Sequence, residues 1–82
     1  MLVQILASNQ FTINLFSTNI KCVVRQGYAE IFESNFSGEE YSLLWYIEDV
    51  NTITQAIEVL YEEYSSGRLY KKIMSVLNKD VL

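Results

Sequence analysis

The chain has 82 residues, half of them hydrophobic and a fifth charged, with ten acidic residues against six basic ones and a net charge of −4. That balance excludes a disordered chain and fits one small domain, which buries only about 60 to 65% of its unfolded surface. Histidine is absent and Cys22 is the one cysteine, which excludes an intrachain disulfide, a Ser-His or Cys-His nucleophile pair and nearly every usual zinc ligand set.

Residues 1–10 (MLVQILASNQ) contain no basic n-region, and their apolar run is too short for a signal h-region or a membrane span. A reducing, cytoplasmic setting is the expectation. Residues 2–7 read as a first strand, ended by Ser8, Asn9 and Gln10, which favour turns. In residues 11–16, Phe11, Ile13 and Leu15 alternate with Thr12 and Asn14, the period of a strand with one wet face. Ser17, Thr18 and Asn19 form the next turn. Residues 20–25 are a third strand, rich in β-branched side chains.

Gln26-Gly27 stands before the run YAEIFE (28–33), and a glycine there supplies the positive φ that tight hairpins need. Residues 33–40 read as a loop with Gly38 inside it. Phe36 in that loop is expected to tuck beneath the sheet; the competing reading exposes it for a partner. Residues 41–47 (YSLLWYI) put Tyr41, Leu43, Trp45 and Ile47 on one face and Leu44 and Tyr46 on the other, a pattern expected of an interior strand.

Thr52 and Gln55 have the spacing of a capping box, and Ile53, Ala56, Ile57, Leu60 and Tyr64 then recur on one helical face, with Glu58 and Glu62 opposite. A second stripe, Leu69, Ile73, Val76 and Leu77, would point away from the first if the helix ran unbroken at about 100° per residue. Gly67 is a favoured terminator, so two helices with a break near 65–67 are predicted. The alternative is one long helix whose Leu69, Ile73, Val76 and Leu77 face a second copy, making a homodimer. The expected fold is α+β: an antiparallel meander of about five strands (1–48) with two C-terminal helices (52–79) on one face, in one domain spanning 1–82.

No catalytic constellation emerges. Cys22 lies in an apolar alternating run, where a thiol is usually a small buried hydrophobe. Gly27, Gly38 and Gly67 stand singly at turns and form no phosphate cradle. The acid pairs Glu39-Glu40, Glu48-Asp49 and Glu62-Glu63 lack the alternation of a calcium loop. No cofactor and no metal are expected, and a small domain has little room for a substrate cleft. The expectation is therefore a non-enzyme.

Charge distribution is the informative feature. Between Arg25 and Arg68 there is no basic residue, while nine acids fall there: Glu30, Glu33, Glu39, Glu40, Glu48, Asp49, Glu58, Glu62 and Glu63. Such a surface repels nucleic acid and attracts basic protein surfaces. Glu39, Glu40, Glu48, Asp49, Glu58, Glu62 and Glu63, with Tyr61 as an exposed anchor, are the candidate partner-binding residues. Tyr70 is also placed in solvent, and Tyr64, Tyr41 and Tyr28 at the core margin. Arg68, Lys71, Lys72 and Lys79 could meet phosphates, but the net charge argues against direct nucleic-acid binding. Lys71 and Lys72 are alternatively expected to pair with Glu62 and Glu63.

Together these features predict a non-catalytic protein-binding module. Its sharpest form is a small acidic inhibitor that imitates nucleic acid on the basic surface of a nucleic-acid enzyme. By analogy of size and charge, a phage-encoded antagonist of host defence, such as an anti-CRISPR, would fit. The alternative is a homo-oligomeric structural or accessory subunit that uses the C-terminal helix.

Overall fold

The computed structural model describes residues 2–16 and 18–77, and only the backbone of Val76 and Leu77. Ser17, Lys79 and Asp80, and the side chains of Val76 and Leu77, lie outside the described residues. The chain forms β1 (Leu2–Ala7), β2 (Gln10–Leu15), β3 (Thr18–Val24), β4 (Tyr28–Ser34) and β5 (Glu40–Glu48), followed by α1 (Ile53–Ser65) and α2 (Arg68–Leu77), with apolar alternation clearest in β2. The strands pair antiparallel in the order β1-β2-β3-β4-β5, a meander. The predicted α+β class, with two C-terminal helices on one face, is what the chain adopts.

Phe11, Ile13 and Leu15 of β2, Ile20, Cys22 and Val24 of β3, Ala29 and Ile31 of β4 and Ile47 of β5 are buried on the face beneath Ala56, Leu60, Leu69 and Ile73 of the helices. α1 lies over β3, and α2 lies against β5. The turns follow from local chemistry. Arg25 N–H donates to the Tyr28 carbonyl at 2.8 Å across Gln26-Gly27, where Gly27 takes φ 86°. Asn9, in the β1–β2 turn, is clamped to β3 by Val24 N–H to its carbonyl at 2.7 Å and by its own amide to the Val24 carbonyl at 3.2 Å.

The helix boundaries obey the expected signals with one change. Thr52 Oγ1 accepts from Gln55 N–H at 3.2 Å, but the Gln55 side chain accepts from Asn51 N–H at 2.7 Å instead of closing on Thr52. α1 ends at Ser65, and Gly67, at φ 82°, separates it from α2. Glycine pays no steric cost there. Leu69 and Ile73 are buried in the chain's own core, so these two members of the second stripe are covered internally and are not free to meet a second copy. Phe16 takes φ 52°, unusual for a bulky residue, and its ring stacks on Tyr64 at 5.8 Å and meets Tyr70 edge-on at 5.0 Å. That cluster ties the helix junction to the β2–β3 turn. Tyr64 and Tyr70 nevertheless both present a substantial edge to solvent.

β5 corrects two expectations. It is an edge strand, and it does not keep one face: Ile31 pairs with Trp45 but Phe32 with Leu43, so Leu44 is an extra residue, and a second shift near Tyr41 follows. Such bulges rotate what precedes them. Trp45 and Ile47 therefore face the helices, while Leu43 lies opposite Phe32 on the uncovered face and Tyr41 is exposed. The apolar character on both sides of this strand reflects a bulge and not burial between two neighbours.

Candidate functional site

The candidate acids do not gather on one surface. Glu40 lies 3.3 Å from Lys21 Nζ, Glu63 accepts from Arg68 Nε at 3.0 Å, and the Glu39 carboxylate accepts from the Asn35 amide at 2.8 Å. Glu30, outside the candidate set, accepts from Arg25 Nε at 2.9 Å. These carboxylates serve ion pairs and a loop. Glu48, Asp49, Glu58 and Glu62 are exposed and, among the described residues, pair with no cation.

The four unpaired acids divide between two sides of the molecule. Glu58, Tyr61 and Glu62 are exposed at i, i+3 and i+4 on the outer face of α1. Glu48 pairs in register with Tyr28, and Glu30 with Tyr46, which puts Tyr28, Tyr46 and Glu48 on the sheet face that the helices leave bare. Glu39 and Glu40 lie at the other end of β5, about 25 Å away at roughly 3.2 Å per residue.

The corner at the end of β5 is the most organised of these sites. Tyr28 and Tyr46 stand with ring centroids 6.1 Å apart, and with Gly27, Glu48 and Asp49 they line an open groove. Its floor is held by a chain of bonds: Asp49 N–H to the Gly27 carbonyl at 2.9 Å, Gly27 N–H to Asn51 Oδ1 at 2.8 Å, and Asn51 N–H to Gln55 Oε1 at 2.7 Å. Asp49 sits in the left-handed region at φ 61°, a conformation that Asp tolerates better than most residues. The hairpin, the strand end and the helix start thus fix two carboxylates beside two aromatic rings.

Chemically, this groove suits a cation. A guanidinium or ammonium can lie over a tyrosine ring within about 6 Å while a carboxylate takes its N–H groups, and arginine fits such an arrangement best. Each contact is small at an exposed site, about 0.5–1 kcal/mol for the ring and about 0–1 kcal/mol for the ion pair. The groove therefore orients and steers a basic partner more than it holds one. It is open to solvent and encloses no volume in which water could be excluded from a reacting group.

Sequence reasoning placed Glu48 and Asp49 among the candidates but missed Tyr46 and set Tyr28 at the core margin. The signal available was the Gly27 turn, which fixes Tyr28 against the end of β5 once β4 and β5 are paired. Phe36, expected beneath the sheet, is 97% exposed. Its loop is held in another conformation: Asn35 Oδ1 accepts from Ser37 N–H, Ser37 Oγ and Glu39 N–H, and it is Gly38 that packs close to Leu6. Tyr61 is exposed, as expected.

In α2, Arg68 is tied to Glu63 and Lys72 Nζ lies 4.1 Å from the centre of the Trp45 ring. These contacts replace the expected pairing of Lys72 and Glu63, and among the described residues Lys71 and Glu62 form no ion pair. Cys22 is buried, and burial pushes its thiol from an ordinary value of 9.0 up to about 12. Among the described residues, no group of three or more acids or cysteines is arranged to hold a metal, and no helix is long and apolar enough to cross a membrane. No protein-family model, curated protein or solved structure matches the chain.

Proposed function

We propose that this chain is a non-catalytic protein-binding module whose Tyr28–Tyr46–Glu48–Asp49 corner takes a basic side chain of a partner. The observation that carries this reading is the pair of exposed carboxylates, unpaired among the described residues, held beside two exposed tyrosine rings by a braced turn. The net charge of −4 and the exposed acids that pair with no cation among the described residues support the sharper form, an inhibitor that docks on the basic nucleic-acid-binding surface of its target. Long-range attraction of this kind raises encounter rates by roughly 10- to 1000-fold at low salt.

The test is capture from a host lysate at low and moderate salt, with the retained protein then purified and its binding measured directly. The expected result is a partner released by salt, displaced by DNA or RNA, and lost with the double variant Glu48→Gln, Asp49→Asn, which removes both charges while keeping residues suited to the bend. Binding that survives this double variant but is lost with Glu58→Lys, Glu62→Lys would move the site to the outer face of α1. Binding indifferent to both variants and to salt would end the electrostatic reading.

A further inference from the structure

The uncharged end of the sheet is built differently from the acidic corner. The first charged residue in the sequence is Lys21, so β1, β2 and the turn between them carry no charged side chain. β1 is the outer strand on that side, and Leu2, Ile5 and Leu6 are 77%, 56% and 41% exposed. The helices lie over β3 and against β5, which leaves the β1 end of the sheet without a cover of comparable extent. Folded proteins guard an outer strand with charge, proline or strong distortion, because its free N–H and carbonyl groups pair with any extended chain. β1 has no charge and no proline, and its one register shift, which makes Leu6 the extra residue, leaves Leu2–Ile5 in regular register with β2.

Phe36 belongs to the same surface. It lines a shallow depression with Leu2, Gln4, Thr12 and Asn14 on the face away from the helices, and Gly38 of its loop packs on Leu6. The four bonds of the Asn35 side chain brace the backbone of the loop on either side of Phe36, so less backbone entropy remains to be lost when the ring is covered.

We infer that β1 is the interface of a homodimer, in which two copies pair their first strands antiparallel about a two-fold axis at Gln4 and form one continuous ten-stranded sheet. The sequence LVQILA is self-complementary in that register: Val3 meets Ile5 of the second copy, Gln4 meets its own equivalent, and Leu2 comes beside the bulged Leu6. A two-fold interface requires this kind of self-matching. Leu2, Gln4 and Leu6 share the face that carries Phe36, so Phe36 covers the Leu2–Leu6 contact from each side.

Charge selects the same occupant. Two molecules of net charge −4 repel wherever their acids approach. At the opposite edge, β5 carries Glu40 and Glu48 with Glu39 and Asp49 flanking them. Pairing through β1 puts those edges at the two outer limits of the assembly, as far apart as the sheet allows, and leaves both Tyr28–Tyr46 grooves open. The dimer is held by backbone bonds and apolar contact and is insensitive to salt, unlike the partner contact proposed above.

Sedimentation equilibrium of the intact chain, from low micromolar to high micromolar concentration, is expected to give a closed monomer–dimer equilibrium unchanged by added salt. Gln4→Lys brings two ammonium groups face to face at the axis and is expected to weaken dimerisation at least about tenfold, with the far-ultraviolet circular dichroism unchanged. Gln4→Cys should form a disulfide-linked dimer under mild oxidation, since directly opposed residues of an antiparallel pair fall within bridging distance. Ser75→Cys, exposed on α2, serves as the control and should not. A wild type that stays monomeric overturns the inference. So does open-ended association, a dimer unaffected by Gln4→Lys, or cross-linking of Gln4→Cys no faster than the control; the cysteine variant decides the matter if the lysine variant fails to fold.

Discussion

Cys22 shows what burial does to one side chain. The thiol lies between Phe11 and Ile31 in the sheet register and faces the helices, so its charged form has no solvation. Between the ordinary 9.0 and the native value of about 12, the unfolded chain gives up the proton while the folded chain keeps it. Stability therefore falls as pH rises through that window, by up to about 1.4 kcal/mol per pH unit. In Cys22→Ala that part of the alkaline loss should vanish, measured as the difference between urea melts of the two proteins across the window. Equal slopes would show that Cys22 contributes nothing to the alkaline loss. Ser34 is the opposite case, a buried hydroxyl with no hydrogen-bond partner among the described residues. Ser34→Ala is expected to stabilise the fold by about 1 kcal/mol, since an unmatched polar group is removed at almost constant shape. A loss of stability in the same melt would reveal a partner for that oxygen.

At the scale of elements, the helix break is the decisive feature. Gly67 has φ 82° and nothing within 4 Å of where a Cβ would stand, so Gly67→Ala incurs only the backbone cost of the left-handed conformation. The expected loss is about 1 kcal/mol, or roughly 4–8 °C in the melting temperature for a domain of this size. A rise in melting temperature would instead mean that the two helices relax into one. Because the break turns α2 back onto the sheet, Ile73 is in the core, and Ile73→Asp should cost more than about 3 kcal/mol, enough to unfold a marginal domain. A folded Ile73→Asp protein with a cooperative melt would show that α2 contributes little to the core. Leu69 and Ile73 of the stripe that sequence reasoning offered as a dimer surface are thus internal, and the bare element among the described residues is β1.

Considered as a whole, the molecule has two ends of different character. The β1 end is uncharged and apolar, while the β5 end carries exposed carboxylates beside tyrosines. Charge at the second end contributes little to folding, because exposed pairs are worth about 0–1 kcal/mol. Glu48→Gln with Asp49→Asn is therefore expected to leave the melting temperature within a few degrees of wild type while slowing association with a basic partner at low salt. A large drop in melting temperature would make the corner a stability device.

Much of the fold was legible in the residues, for reasons that are local. Apolar runs and alternation marked the strands, Gly27 marked the hairpin, Thr52 and Gln55 marked the start of α1, and the phase reversal across Gly67 favoured two helices over one. Each of these depends on neighbours a few positions apart. The site was less legible. Seven acids and one tyrosine were candidates, yet three of the acids are engaged with Lys21, Asn35 and Arg68, and the other four lie on two different sides. The bulge at Leu44 turned Leu43 and Tyr41 away from the core, and the Asn35 loop lifted Phe36 into solvent. By itself, the sequence determined the class of fold, the order of its elements and the imbalance of charge, because periodicity, turn chemistry and composition act over short stretches of chain. Only the tertiary structure decided which strand is an edge, which acids remain unpaired and where the tyrosines meet them, because those depend on register and packing between residues far apart in the chain.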